Sequence, residues 1–303
     1  MIKLIETKIY FLSILISLLV FNIYDQIFLN NFKNQFLFFL LPLLWPGVAH
    51  GSLDLAIAKR IGIVSNLISS ILFIIIYLSL SLLIAYVWLK LPEISLLIFL
   101  LISVLHFGMS DCLLETNNKV YFLEVTLRGL IPIVMPIFLH KNIVGEIFEL
   151  LLINPIFFDS LTLIFKKLYY ITLGLFVLFS LVLIKQNEKH KTNILSEFLA
   201  IIFCFYYFEP LIAFSIYFCF LHSLRHLMDE QKENKFTIIE LLKKTIPITS
   251  IVLFVGLYVM FFVNIGVSNY KYITILFISL AALTVPHMIL VCISKKKVNL
   301  GKF

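Results

Sequence analysis

Apolar stretches about as long as a bilayer is thick follow one another from Ile9 to Val291, with only short charged segments between them. A hydrocarbon core takes about 20 helical residues to cross, so the pattern predicts an all-α fold, a polytopic membrane helix bundle of about 8–10 transmembrane helices. Candidate spans are 9–23, 35–57, 67–89, 93–114, 120–139, 168–184, 194–208, 210–228, 246–265 and 272–294. Hydrophobic residues are 61% of the 303 and charged residues 14%, and the mean hydropathy is +1.06. No soluble domain of this size hides so much apolar side chain. No stretch between spans is large enough for a separate domain, so one integral-membrane domain, 1–303, is expected. Ile9–Phe21 is followed by no small-residue cleavage site and reads as a first span rather than a leader.

Some segments break the pattern. Proline ends or kinks a helix at the residue before it, so Glu209-Pro210 is expected to divide the run 194–228. The first half, 194–208, is short for a crossing and is open to a re-entrant reading. Glu146, Glu149, Pro155 and Asp159 punctuate 143–166, which reads as one or two interfacial helices. The net charge of +7 does not imply nucleic acid, because no basic patch with interleaved aromatics occurs. The Lys residues sit in short loops, where they set orientation. With ten crossings and an inside N-terminus, sixteen of the 24 Lys and Arg fall inside and six outside, with Arg128 and Arg225 within spans. Both termini are therefore expected in the cytoplasm, with Lys166 and Lys167 the main dissent. Cys112, Cys204, Cys219 and Cys292 form no CxxC and read as reduced packing residues.

The stretch with the most chemistry is His222-Ser223-Leu224-Arg225-His226. Histidines four apart share a helix face, with Cβ atoms about 5–6 Å apart, and an ionisable group inside a span is a functional-site hypothesis. On the ten-crossing topology His50, His106, His222 and His287 lie on spans of one direction. Each precedes a charged residue of the inner loop, Arg60, Glu115, Asp229 and Lys295 respectively. The spacings place them roughly 10–15 Å deep. With His226 one turn nearer the surface, five histidines occupy one layer of the inner-leaflet half, while His140 and His190 fall outside it. A lone membrane histidine is more often a packing residue than a ligand. Five in a layer favour a metal, because neutral imidazole binds iron, copper, nickel and zinc and is awkward to charge in lipid. Glycines beside His50 and His106 permit close helix approach. Asp54 and Asp111, four and five residues on, offer second-shell bonds. Asp54 is expected to serve its own helix turn, and Arg225 to pair with Asp54 or Asp111. The spacing HxxxH lacks the glutamate of a zinc protease. Which four of the five histidines bind stays open on this reading.

Several blocks together resemble a known family, the bacteriorhodopsin-related-protein-like family of membrane β-carotene 15,15′-dioxygenases. They are Pro46-Gly47-Val48-Ala49-His50-Gly51-Ser52-Leu53-Asp54, His106-Phe107-Gly108-Met109-Ser110-Asp111, Arg128-Gly129-Leu130-Ile131-Pro132-Ile133-Val134-Met135-Pro136, Glu209-Pro210-Leu211, Tyr217-Phe218, His222-Ser223-Leu224-Arg225-His226-Leu227 and Pro286-His287-Met288-Ile289-Leu290-Val291. The similarity runs from about residue 40 to 293, in order. It departs at Gly47-Val48-Ala49, where the family usually has proline directly before the histidine. The resemblance implies central cleavage of β-carotene by O2 to two retinal molecules, with Fe(2+) as cofactor. It implies His50, His106, His222 and His226 as ligands and His287 as a nearby polar group. Asp54, Asp111 and Arg225 are possible neighbours of the ligands. It further implies a multi-pass protein of the inner (plasma) membrane, with the lipid bilayer as environment and a retinal-binding protein as recipient of the product. Competing readings are a haem electron-transfer protein, a carotenoid carrier with a histidine relay, and a di-iron hydroxylase, which typically wants more histidines than this layer offers.

Overall fold

Residues 4–28, 31–186, 188–262 and 270–300 are described by the computed structural model, and among them every regular element is helical. The helices are α1 (Leu4–Phe28), α2 (Phe32–Pro42), α3 (Asp54–Arg60), α4 (Leu67–Lys90), α5 (Pro92–Asp111), α6 (Tyr121–Leu139) and α7 (Lys141–Leu150). They continue with α8 (Pro155–Lys185), α9 (Lys191–Tyr207), α10 (Pro210–Tyr217), α11 (Leu224–Glu233), α12 (Ile238–Phe262) and α13 (Lys271–Leu300). Among the described residues, eight stretches are long and apolar enough to cross a bilayer. These are Ile5–Tyr24 of α1, α4, α5, α6, α8, the continuous Pro210–Glu233, α12 and Lys271–Ser294 of α13. The chain is a multi-pass membrane protein. Side chains such as Ile68, 78% exposed, and Phe254, 72% exposed, have lipid as the solvent that suits them.

Two of the ten expected spans take other forms. The stretch 35–57 is not one helix. Pro42 and Pro46 lack the N–H an α-helix needs, so α2 gives way to a π turn at Leu43–Gly47. A 3-10 segment, Val48–Leu53, then leads into α3. The stretch 194–208 forms α9, only 17 residues long. The split at Glu209-Pro210 is present, with extended backbone at Phe208 and Glu209 and Pro210 opening α10. The expected span 168–184 begins earlier. Asn154 caps α8 through Ile156 N and Pro155 occupies its first turn, so the helix runs 31 residues through Lys166 and Lys167. The reading of 143–166 as one or two separate helices is therefore corrected from Pro155 onward, which belongs to α8, while Lys141–Leu150 forms the short helix α7. All four cysteines are free.

The chain divides into two compact units. The first comprises 1–43, 100–149 and 153–225. Here α6 packs on α8 and α9, α10 on α2 and α9, and α1 on a π turn at Phe218–Ser223. Two glycines let α5 and α6 meet backbone to backbone. A Cβ on Gly108 would lie 2.3 Å from Val125 O, and one on Gly129 would lie 2.0 Å from Val104 O. Gly51 does no such work, since nothing lies within 4 Å of its would-be Cβ.

The second unit comprises 44–99, 150–152 and 226–303. Here α13 packs on α4, α12 and α3, and the 3-10 segment packs on α12. Ile57, Ala58, Ile61, Val64 and Leu290 form one apolar cluster, and Ala49, Leu53, Leu227 and Leu241 another. Asn66 and Ser69 form a reciprocal capping box that starts α4. At the other end of the unit, Trp88 Nε1 and Thr274 Oγ1 donate to the carbonyls of Leu151 and Leu150, at 3.1 and 2.6 Å.

Candidate metal centre

Polar groups inside the first unit begin with a chain of buried charges. Arg128, on α6, donates through Nε to Glu124 Oε1 at 2.6 Å and through Nη1 to Glu197 Oε1 at 2.5 Å. Glu197, on α9, also accepts from Arg225 Nη2 at 2.7 Å and from the Thr7 hydroxyl. Arg225 Nη1 donates to the Asp111 carbonyl at 3.0 Å and stands 3.9 Å from Asp111 Oδ1. Glu124 further accepts from the backbone N–H groups of Leu113 and Leu114, fixing the chain just past α5. Buried charges persist only when paired and hydrogen-bonded, and each guanidinium here bridges two partners.

The chain of charges ends on a histidine. Asp111 Oδ1 lies 3.2 Å from His222 Nδ1, and Asp111 Oδ2 accepts from the Tyr217 hydroxyl at 2.6 Å. A carboxylate only accepts, so Nδ1 donates, and in a neutral imidazole so placed Nε2 is the nitrogen that presents a lone pair. That Nε2 faces His106 Nε2 at 3.1 Å. His222 sits in the π turn Phe218–Ser223, an irregularity frequent at functional sites. Phe107, Tyr217 and Phe218 surround its ring.

Three histidines cluster in the second unit. The ring centroids of His50 and His287 are 5.0 Å apart, those of His226 and His287 5.1 Å, and those of His50 and His226 5.7 Å. A ring nitrogen of His50 and one of His287 lie within 4.8 Å of each other. His50 is carried by the 3-10 segment, and its Nδ1 donates to the Gly47 carbonyl, again turning Nε2 outward as the lone-pair nitrogen. The expectation that Asp54 serves its own turn is corrected. Asp54 Oδ1 takes His287 Nδ1 at 2.7 Å, and its Oδ2 takes the Tyr77 hydroxyl at 2.8 Å. The reason is geometric: His50 Nδ1 is satisfied three residues back, while α13 places His287 beside the start of α3.

Within each unit the facing imidazoles have a spacing that would suit a divalent ion. Imidazole nitrogens sit about 2.0–2.1 Å from a metal such as zinc, so two of them 3.1 Å apart would subtend about 95–100° at a shared ion. On the same scale, rings sharing an ion have centroids about 4.5–5.5 Å apart. The observed 4.8 Å for His106–His222, 5.0 Å and 5.1 Å fall in that range, and 5.7 Å lies just beyond it. Charge points the same way. Counted as ionised, Asp111, Glu124 and Glu197 exceed Arg128 and Arg225 by one negative charge, all of them buried.

His222 and His226 have different ring neighbours, His106 for the first and His50 and His287 for the second. His140 and His190 stand elsewhere, His140 donating through Nε2 to the Phe205 carbonyl at 3.1 Å and His190 at the start of α9. Glu124, Glu197 and Tyr77 were not singled out by sequence reasoning, and Tyr217 only as part of the block Tyr217-Phe218 that carries the resemblance. The two glutamates carried a usable signal, each a lone carboxylate in an apolar helix. Tyr77 carried none among the 13 tyrosines.

Comparison with known proteins adds a family. A family profile described as Beta-carotene 15,15'-dioxygenase matches residues 41–293. A protein of that name from the uncultured marine bacterium 66A03 is 34% identical over 261 residues, covering 81% of this chain and 88% of that protein. No solved structure matches the chain.

Proposed function

The chain belongs to the β-carotene 15,15′-dioxygenase family, and we propose that it performs the family's reaction with O2 on an Fe(II) ion held by His50, His106, His222 and His226. It is an enzyme that cleaves β-carotene to retinal. The observation that carries the metal reading is the facing pair His106 Nε2 and His222 Nε2, with Asp111 fixing the proton of His222 on the far nitrogen. Neutral imidazoles suit iron and add no negative charge inside a membrane. Bound there, iron supplies the redox chemistry by which O2 is brought to the polyene.

The protein's own share is binding, orientation and exclusion of water. Asp111 and Tyr217 hold the His222 ring, and Arg225, braced by Glu197, holds Asp111. Second-shell bonds of this kind keep ligand nitrogens aimed and raise their basicity. Phe107 and Phe218 cover the His222 ring, keeping the surroundings dry. β-Carotene is an apolar rod that dissolves in the bilayer, so an intramembrane site spares its extraction into water. Central cleavage requires the middle of the polyene to lie at the ion, and the 31 Phe and 13 Tyr include enough flat rings to line a channel of that length.

The protein resides in the inner membrane with both termini cytoplasmic, and a retinal-binding protein takes the product. The Lys and Arg bias supports that orientation when α2–α3 and α9 also cross. The family match draws on residues of both units, which supports treating 1–303 as one integral-membrane domain. Single replacement of His50, His106, His222 or His226 by Ala should abolish retinal formation in a β-carotene-accumulating bacterium while the protein stays inserted. Normal retinal output from one inserted variant removes that histidine from the set.

A further inference from the structure

Two triads in this molecule share one atomic pattern. In the first unit, Asp111 accepts His222 Nδ1 on Oδ1 and the Tyr217 hydroxyl on Oδ2. In the second, Asp54 accepts His287 Nδ1 on Oδ1 and the Tyr77 hydroxyl on Oδ2. Each aspartate lies a few residues beyond one histidine, His106 or His50, yet serves a different one. The carboxylate–histidine arrangement is the device that orients a metal-bound imidazole.

We propose that His287 is itself a metal ligand, through Nε2, beside His50 and His226 of the same unit; this rests on the metal reading of the proposed function. Three observations carry it. First, the Asp54 carboxylate only accepts, so His287 Nδ1 holds a proton and Nε2 is the nitrogen available to a metal. Second, Asp54 bonds His287 at 2.7 Å, closer than the 3.2 Å at which Asp111 bonds His222. Third, the His287 ring stands 5.0 Å from His50 and 5.1 Å from His226, the separations of rings that share one ion, as worked out above. Charge supplies the reason for the arrangement. Asp54 is 4% exposed, and its side-chain partners are Tyr77 and His287, with no Lys or Arg reaching it among the described residues. A buried carboxylate with no guanidinium or ammonium partner is costly, and a cation on His287 compensates it through the ring. Tyr77, whose hydroxyl is also 3.3 Å from the Leu283 carbonyl, steadies the carboxylate from α4. Asp54 and Tyr77 are thus positioning residues for His287.

The competing explanation is an aspartate–imidazolium ion pair that braces α3 against α13 without touching metal. The two differ in how purified protein binds Co(II), whose visible ligand-field bands report coordination number. The wild type is expected to bind one Co(II) per chain. His287→Ala should weaken that binding by 100-fold or more and change the band shape and intensity. Asp54→Asn should weaken it by about 10–100-fold with the bands largely kept. Added imidazole should restore affinity and spectrum to His287→Ala, which a bracing role does not allow. If His287→Ala does not fold, His287→Gln keeps most of the volume and a donor for Asp54 and is read the same way. Wild-type affinity and bands in a folded His287 variant overturn the assignment while the four-histidine site stands. Failure of the wild type to bind Co(II) or Fe(II) at all overturns the metal reading and this ligand with it.

Discussion

Asp111→Asn isolates what the buried charge does for the metal-binding face of His222. Asparagine matches the shape of aspartate. Its Oδ1 can still accept from His222 Nδ1, now 3.2 Å away, and its amide can donate to the Tyr217 oxygen, now 2.6 Å away. Arg225 Nη1 keeps the Asp111 main-chain carbonyl at 3.0 Å, because that bond does not involve the side chain. What is lost is one negative charge beside a ring aimed at a cation. Outer-shell partners of metal-bound histidines are typically worth 10–100-fold in affinity or activity, or about 1.4–2.7 kcal/mol. The variant should therefore insert normally, bind Fe(II) about 10–100-fold more weakly in a chelator competition, and make correspondingly less retinal. A variant within about twofold of wild type in both assays refutes the claim that Asp111 orients a ligand.

Other consequences are structural. Gly129→Ala places a methyl 2.0 Å from the Val104 carbonyl; helices α5 and α6 must separate, at a cost of about 1–3 kcal/mol or more, visible as a lower thermal midpoint in detergent. Gly51→Ala, with open space around it, should leave that midpoint unchanged. Glu197→Gln leaves Arg128 and Arg225 without their shared charged acceptor. Breaking a buried pair costs about 3–5 kcal/mol, so this variant should lose most folded protein, and ordinary thermal stability would contradict the bracing role.

Much of this architecture was legible as runs of apolar residues, because a span's length is set by the bilayer rather than by its neighbours. Proline signals worked where they stood alone, as at Pro210. They were passed over where Pro42 and Pro46 lay inside an apolar run, so 35–57 read as one helix. The start of α8 was hidden by Asp159, Lys166 and Lys167, although Asn154-Pro155 is a helix-start signal. Spacing along the chain singled out five histidines but not their hydrogen-bond partners. Asp54 reaches His287 and not His50, a pairing across 233 residues that no local period encodes. Glu197 is the clearest omission: a lone carboxylate in an apolar helix, it requires a cationic partner, and both intramembrane arginines supply one.

The central claim is central cleavage at a histidine-held iron. Its most direct test is pigment chromatography of a β-carotene-accumulating bacterium expressing either the wild-type chain or His222→Ala, with membrane insertion of both checked by immunoblot. The account predicts that the wild type depletes β-carotene and yields retinal as the product, while His222→Ala leaves the colour intact. Retained colour with the wild type, longer and shorter apocarotenals in place of retinal, or normal retinal output from His222→Ala would contradict it.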